Sequence, residues 1–387
     1  MDYIPYGRQS ISEEDIEAVI EVLKSDLITQ GPRVEKFEKT VADYCGAKYA
    51  VAVSNGTAAL HLACLAAGLT KGNTLWTSPN TFVASANCAL YCGASPDFVD
   101  ISPITYNMDE NLLEEKLVKA EKNDKLPQIV IPVHFSGQSC DMEKIYYLSQ
   151  KYKFVVIEDA CHAIGGSYKN SKIGSCRFSD MAVFSFHPVK IITSGEGGMI
   201  LTNRKDYYDK LVLYRTHGIV KDPQLMESPT EGVWYYQQVE LGMNYRITDI
   251  QAALGLSQLK RIDDFVSRRQ EIAARYDNLL EGLPLKIPVR QAYSHSAFHL
   301  YVIQLELEDI KLSRRMLFER IRADGVSLNV HYIPVHLQPY YRRLGFKESD
   351  FPHAEQYYKQ AATLPIYFGM TDNDQDRVVD SFKRALL

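Results

Sequence analysis

Lys190 is the first residue that asks for a chemical explanation. It stands in FSFHPVKIITSGEGGMI, residues 184–200, among apolar neighbours and five residues after Ser185. A lysine is almost never fully buried without a reason. Held in a partly desolvated pocket, an amine loses basicity and becomes a nucleophile toward carbonyl groups. The glycines of GEGG follow the lysine, whereas a Walker-type phosphate loop has them before it, so that motif is excluded. They allow tight turns back into a strand.

Three further places could serve the same chemistry. Asp159, in FVVIEDACHAIGG, comes at the end of a run that reads as a buried strand. Open parallel sheets bind ligands beyond such ends. A carboxylate buried there needs a cation or strong hydrogen bonds; the plainer reading is a cap on the next segment. His162, three residues on, is equally well a structural histidine. In SNGTAALHLACLAAG (54–68) a strand gives way to a small-residue turn and a helix. Exposed N–H groups at that helix start, with the Thr57 hydroxyl, suit an anion such as phosphate. An ordinary cap by Ser54, Asn55 or Thr57 accounts for the same residues. Phe82, in SPNTFVASANCAL, follows another strand, where an aromatic either stacks on a flat ligand or joins the core. Taken together, the four places meet the needs of one cofactor. Pyridoxal 5′-phosphate requires an aldehyde-trapping lysine, an acid beside its pyridine nitrogen, a phosphate cup and a ring-stacking partner.

The elements that must position these residues are legible as alternating patterns. Short apolar runs occur at YAVAV (49–53), TLWTS (74–78), PDFVDI (96–101), QIVIPVH (128–134), FVVIE (154–158), MAVFSF (181–186) and GGMILT (197–202). Amphipathic segments separate most of them, which predicts a mainly parallel sheet with helices on both faces. No helix separates the last two runs, so an antiparallel pair is expected there. After residue 250 the texture changes. QAALGLSQLKRIDDFVSRRQEIAARYDNLLEGL reads as one long helix or two joined ones, ended by Gly282 and Pro284. HLYVIQLEL, an amphipathic segment from Ser313 to Asp324, a strand-like VSLNVHYIP and a closing helix follow. The expected division is a large α/β domain over 1–250 and a smaller α+β domain over 251–387, with the opening residues packed on the smaller one.

The bulk composition excludes several classes. The 387 residues are 46% hydrophobic and 24% charged with a net charge of −5, enough for one large domain and a smaller one. No basic run points to nucleic acid, and no uncharged apolar stretch of about 18 residues points to a membrane. A soluble cytoplasmic protein is expected. The seven cysteines are scattered and form no CxxC pair, so no metal site is expected.

Several blocks carry a resemblance. LITQGPRVEKFE (27–38), SNGTAALHLA, SPNTFVASAN, EDACHAIGG, FSFHPVK with GEGG, LGMNYRITDIQAALGLSQL (241–259) and HYIPVHLQPYY (331–341) occur in one order. In them the chain resembles the sugar aminotransferases of the DegT/DnrJ/EryC1/StrS family, which share the pyridoxal phosphate-dependent fold type I of aspartate aminotransferase. The resemblance implies that Lys190 binds the cofactor covalently and Asp159 pairs with its pyridine N–H⁺. It puts His162 by the phenolic oxygen and Phe82 on the ring, with Gly56, Thr57, Ala58 and Ser185 around the phosphate. It also implies a homodimer with shared active sites, in which Asn244, and less directly Arg246, reaches the neighbour's site. Some relatives carry histidine at the lysine position and dehydrate their substrate; Lys190 therefore implies transamination.

The implied amino donor is L-glutamate and the acceptor a UDP-linked 4-keto-6-deoxy sugar. The opening PYGRQSISEEDIEAVIEVLKSD and the HYIPVHLQPYYRRLGF block most resemble the branch of the family that serves pseudaminic acid biosynthesis. That branch aminates C4 of UDP-2-acetamido-2,6-dideoxy-β-L-arabino-hexos-4-ulose. Tyr6, His331, Tyr332 and His336 either line the sugar-nucleotide cleft or pack a strand end against the large domain. The rival readings are another keto-sugar nucleotide, a non-catalytic relative, and a nicotinamide enzyme. The last lacks GxGxxG after the first strand.

Overall fold

The computed structural model describes residues 3–228 and 230–386. Its central sheet has seven strands in the order Tyr49–Val53, Gly198–Thr202, Met181–Ser185, Val155–Asp159, Ile129–Ile131, Thr74–Thr77 and Ser95–Phe98. All run parallel except Gly198–Thr202, which is antiparallel to both neighbours. The reason is local. Residues 186–197 contain no crossover helix, so the chain can only turn back beside the strand it left. Near-continuous apolar strands such as Met181–Ser185 are buried because helices cover both faces of the sheet.

Three strands are shorter than their apolar runs suggest. Ile129–Ile131 stops at Pro132, which has no N–H for the ladder. Ser95–Phe98 stops where Asp97 Oδ1 accepts the N–H of Phe98 at 2.7 Å. Met181–Ser185 ends one residue before Phe186. Asp159 is the last residue of its strand rather than the first beyond it.

The long helical segment is two helices, Asp249–Leu259 and Ile262–Leu279. Thr248 and Gln251 form a capping box at the start of the first. The second links two cores. Its first turns, with Ile262, Phe265 and Val266, pack in the cluster beneath the seven-stranded sheet. Its later turns, with Ile272, Ala273 and Tyr276, join Ile4 and the closing helix Asp372–Leu386 in another cluster. That second cluster covers a small antiparallel sheet of Leu285–Lys286, Tyr301–Leu305 and Ala361–Leu364. Buried Arg269 ties the elements together by donating from Nη1 to the carbonyls of Phe298, His299 and Ile366 at 3.1, 3.2 and 3.1 Å.

VSLNVHYIP is not a strand. It makes only isolated bridges, Val326 to Ile4 and Asn329 to Thr363. Its other backbone groups are taken elsewhere. Tyr332 N–H donates to Asn80 Oδ1 at 3.2 Å, Tyr357 Oη donates to His331 O at 2.6 Å, and Val335 N–H donates to Pro79 O at 2.9 Å. Three outside partners leave no ladder to form.

Candidate active site

A cavity of about 800 Å³ opens at the carboxyl ends of the central strands. That is room for a flat cofactor and part of a substrate. Lys190 enters it from the turn after Met181–Ser185. Its N–H donates to His187 O at 2.9 Å. The rest of this loop is fastened by Phe186 O, which accepts from Thr193 Oγ1 at 2.9 Å and Ser194 N–H at 3.0 Å. Burial lowers the pKa of the Lys190 ammonium, and Cys161 and Asp159 nearby oppose that shift. The amine is therefore more readily freed than an exposed one.

Asp159 faces the same space and is buried. Ser85 Oγ donates to its Oδ2 at 2.6 Å, and Cys161 N–H to its Oδ1 at 3.2 Å. Because the Ser85 hydrogen goes to the carboxylate, Thr81 Oγ1, 2.8 Å from Ser85 Oγ, must be the donor in that pair. Asp159 thus answers hydrogen bonds on both oxygens while facing the cavity that holds Lys190.

At the start of the helix Gly56–Ala66, the cap and the anion cup coexist. Asn55 Oδ1 accepts Ala58 N–H at 2.8 Å. The N–H groups of Gly56 and Thr57, one step earlier, have no intrahelical acceptor. Gly56 lies so close to Ser185 that a Cβ on it would come within 3.0 Å of the Ser185 Cβ. Bare N–H groups and the Ser185 hydroxyl therefore crowd one corner of the cavity, which suits a phosphate. Phe82 is not core: it is 59% exposed and forms a wall, its ring 6.3 Å from that of Tyr332.

His162 has both ring nitrogens engaged. Nδ1 accepts Ser136 N–H at 3.2 Å, and Nε2 lies 3.0 Å from Tyr332 Oη. Burial, with help from Lys190 and His331, holds its pKa well below the usual histidine value. His331 is pushed down to about 3 by burial and then by Lys190. Its Nδ1 pairs with Thr363 Oγ1 at 2.9 Å, and the Tyr6 ring lies 5.5 Å away.

The structure thus gathers Tyr6, Gly56, Thr57, Ala58, Phe82, Asp159, His162, Ser185, Lys190, His331 and Tyr332 around one cavity. Three residues stand apart. His336 points inward: it is fully buried, and its Nε2 lies 3.0 Å from Glu355 Oε1. It is an interior residue of this chain, not part of the cleft wall. Arg246 borders a separate, smaller depression with Glu38 and Arg215. Asn244 is exposed, and its backbone bridges to Thr216. Ser85, Thr81, Asn80, Ser136 and His299 were not marked by the sequence. The Thr81–Ser85 spacing across a helix start carried a faint signal; the others act only through distant partners.

The family model for the DegT/DnrJ/EryC1/StrS aminotransferase family matches residues 9–383. The chain belongs to that family. The aminotransferase is 40% identical over 384 residues to the spore coat polysaccharide biosynthesis protein SpsC of Bacillus subtilis, covering 98% of this chain and 96% of the relative. It is 37% identical over 379 residues to the UDP-4-amino-4,6-dideoxy-N-acetyl-beta-L-altrosamine transaminase of Campylobacter jejuni, covering 98% and 96%. The solved structure of Helicobacter pylori PseC, an aminotransferase involved in the biosynthesis of pseudaminic acid, superposes with a TM-score of 0.90 at 29% identity. That match covers 100% of this chain and 99% of the other. The aminotransferase is dependent on pyridoxal 5′-phosphate, as its family is. Its cavity fits that cofactor: an amine, a doubly hydrogen-bonded acid, a crowded N–H cup and an exposed aromatic wall meet in one place. Among the described residues no cluster of metal-ligating side chains occurs, and no helix is long and apolar enough to cross a membrane.

Proposed function

We propose that the aminotransferase moves the amino group of L-glutamate to C4 of UDP-2-acetamido-2,6-dideoxy-β-L-arabino-hexos-4-ulose. The product is UDP-4-amino-4,6-dideoxy-N-acetyl-β-L-altrosamine, an intermediate on the way to pseudaminic acid. The observation that carries the aminotransfer reading is the convergence of Lys190 and Asp159 on one cavity beside the bare helix start at Gly56. The likeness to the Campylobacter transaminase and the Helicobacter structure supports the choice of sugar.

Bound pyridoxal phosphate supplies an aldehyde and an electron sink. The chain's own residues do the rest. Lys190, freed as an amine, takes the proton from Cα of glutamate and in the second half-reaction delivers one to C4 of the sugar. Asp159, fixed by Ser85 and Cys161, keeps the proton on the ring nitrogen. Gly56, Thr57, Ala58 and Ser185 hold the phosphate, and Phe82 covers a ring face. Tyr6 and His331 line the part of the cavity open to the sugar. The working unit is a homodimer in the cytoplasm, with Asn244 and Arg246 turned toward the partner's site.

A second reading has its own support. The Bacillus spore coat protein is slightly more similar than the Campylobacter transaminase. Another nucleotide-linked 4-keto or 3-keto 6-deoxy sugar is then the acceptor. Incubation with L-glutamate and each candidate keto-sugar nucleotide, with products read by NMR, separates the two. Amination at C4 of the L-arabino compound is expected. Amination of a D-configured or dTDP-linked sugar alone overturns the choice of sugar, and no amination of any sugar overturns the reaction.

A further inference from the structure

Tyr332 and His162 meet on the cavity wall, and hydrogen-bond bookkeeping fixes which of them gives the proton. His162 Nδ1 accepts Ser136 N–H at 3.2 Å. A ring nitrogen that accepts an N–H carries no hydrogen. The buried ring is neutral, so its single proton sits on Nε2. Nε2 lies 3.0 Å from Tyr332 Oη. His162 is therefore the donor and the phenol the acceptor. The hydrogen of the Tyr332 hydroxyl must point away from His162. Among the described residues no other hydrogen bond of Oη is present, and the side chain lines the cavity.

Tyr332 is also held still. Asn80 Oδ1 accepts its N–H at 3.2 Å, and Tyr357 Oη donates to the preceding carbonyl at 2.6 Å. The Phe135 ring meets it edge-on, with centroids 6.2 Å apart. Burial, then Asp159 and Cys161, push the phenol's pKa up, so it remains a donor at any physiological pH.

The position of this donor matches one atom of the cofactor. On the pyridoxal ring the oxygen-bearing carbon lies next to the aldehyde carbon, on the side that leads to the nitrogen. The phosphate arm leaves from the other side. Lys190 marks the aldehyde, Asp159 the nitrogen, and Gly56 with Ser185 the phosphate. Tyr332 senses the charge of Asp159, and His162 that of Lys190. The pair therefore flanks the edge between aldehyde and nitrogen. We infer that Tyr332 is the hydrogen-bond donor to the ring oxygen of pyridoxal phosphate, and that His162 acts on that oxygen only through Tyr332. This rests on the placing of the cofactor proposed above. It reassigns the contact that the family resemblance gives to His162, making His162 a positioning residue.

The test is a pH titration of the cofactor's visible absorption in the holoenzyme without substrates, alongside the dissociation constant for pyridoxal phosphate. A donor to an anionic oxygen stabilises the anion, so its loss makes that oxygen hold a shared proton more tightly. Tyr332→Phe should move the titration midpoint up by about one pH unit and weaken cofactor binding about tenfold. His162→Asn should move the midpoint in the wild-type background and leave it unmoved in the Tyr332→Phe background. Equal shifts in both backgrounds would mean that the imidazole touches the ring oxygen itself, and the inference fails. So does an unchanged midpoint in Tyr332→Phe. If that variant does not fold, a fluorotyrosine introduced at position 332 keeps the shape and sharpens the donor. Its midpoint should then move down, and no movement overturns the inference. Wild-type protein that binds pyridoxal phosphate without any visible band removes the placing of the cofactor first, and this inference with it.

Discussion

Ser85 Oγ donates to Asp159 Oδ2 at 2.6 Å across 74 residues of sequence. Cys161 N–H takes the other oxygen, so the carboxylate is oriented from two sides by the fold itself. Ser85→Ala removes one of these bonds and leaves a buried carboxylate oxygen without its donor. Hydrogen bonds to charged groups are worth about 1.5–3 kcal/mol, so unfolding free energy should fall by that amount. The carboxylate then swivels, and kcat should drop about 10–100-fold with the sugar KM little changed. Denaturant unfolding and steady-state kinetics read the two effects separately. An unchanged kcat would show that Ser85 only fills space.

Phe82 offers a contrast because most of its surface is exposed. Phe82→Ala should cost the fold very little. Loss of ring stacking should weaken pyridoxal phosphate binding by about 0.5–1.5 kcal/mol, roughly 3–10-fold in Kd. Equilibrium titration of the cofactor measures this. A large loss of stability with unchanged affinity would return Phe82 to the core.

Burial disfavours protonation of His162, His299 and His331 in the folded chain. The unfolded chain protonates these rings near the ordinary histidine value of about 6.5. Between that value and the depressed ones, the unfolded state binds more protons, so stability rises with pH. It is complete above about 6.5 and declines as pH falls toward the depressed value of about 3 for His331. Each ring withdraws up to about 1.4 kcal/mol per pH unit within its window. Urea unfolding at about pH 7.5 and about pH 5.5 should show a clear loss at the lower value. Equal stability at both would mean that these rings are hydrated in solution.

His336 tests the distinction between wall and interior. Glu355 Oε1 faces it at 3.0 Å and also accepts Ser349 N–H at 2.7 Å. His336→Ala should lower stability by about 2–4 kcal/mol, because it opens a void and leaves a buried carboxylate short of a partner. The sugar KM of the folded fraction should stay the same. A raised KM without lost stability would bring His336 back to the cleft.

The parts of the site that rest on local pattern were legible in the sequence. Strand runs, the helix start at Gly56 and the lysine after Met181–Ser185 each follow from composition within a few residues. The parts that rest on distant hydrogen bonds were not. VSLNVHYIP alternates like a strand, yet Asn80, Tyr357 and Pro79 claim its polar groups. His331, Tyr332 and His336 share one short block, but a 3₁₀ turn at Val335–Leu337 rotates His336 away from the other two. The roles of Ser85, Asn80 and Ser136 depend on partners 74, 252 and 26 residues away, and no spacing rule reports those.

The Asn80–Tyr332 bond also bears on how the protein is made. One wall of the cavity comes from the first quarter of the chain and the facing wall from its last sixth. Behind His331 stands Thr363, later still. A ribosome must therefore release nearly the whole polypeptide before Tyr332 can seat on Asn80. Lys190 and Asp159 are synthesised long before that, but the chamber around them closes only at the end. Cofactor capture in its finished form belongs to the completed chain and not to the nascent one.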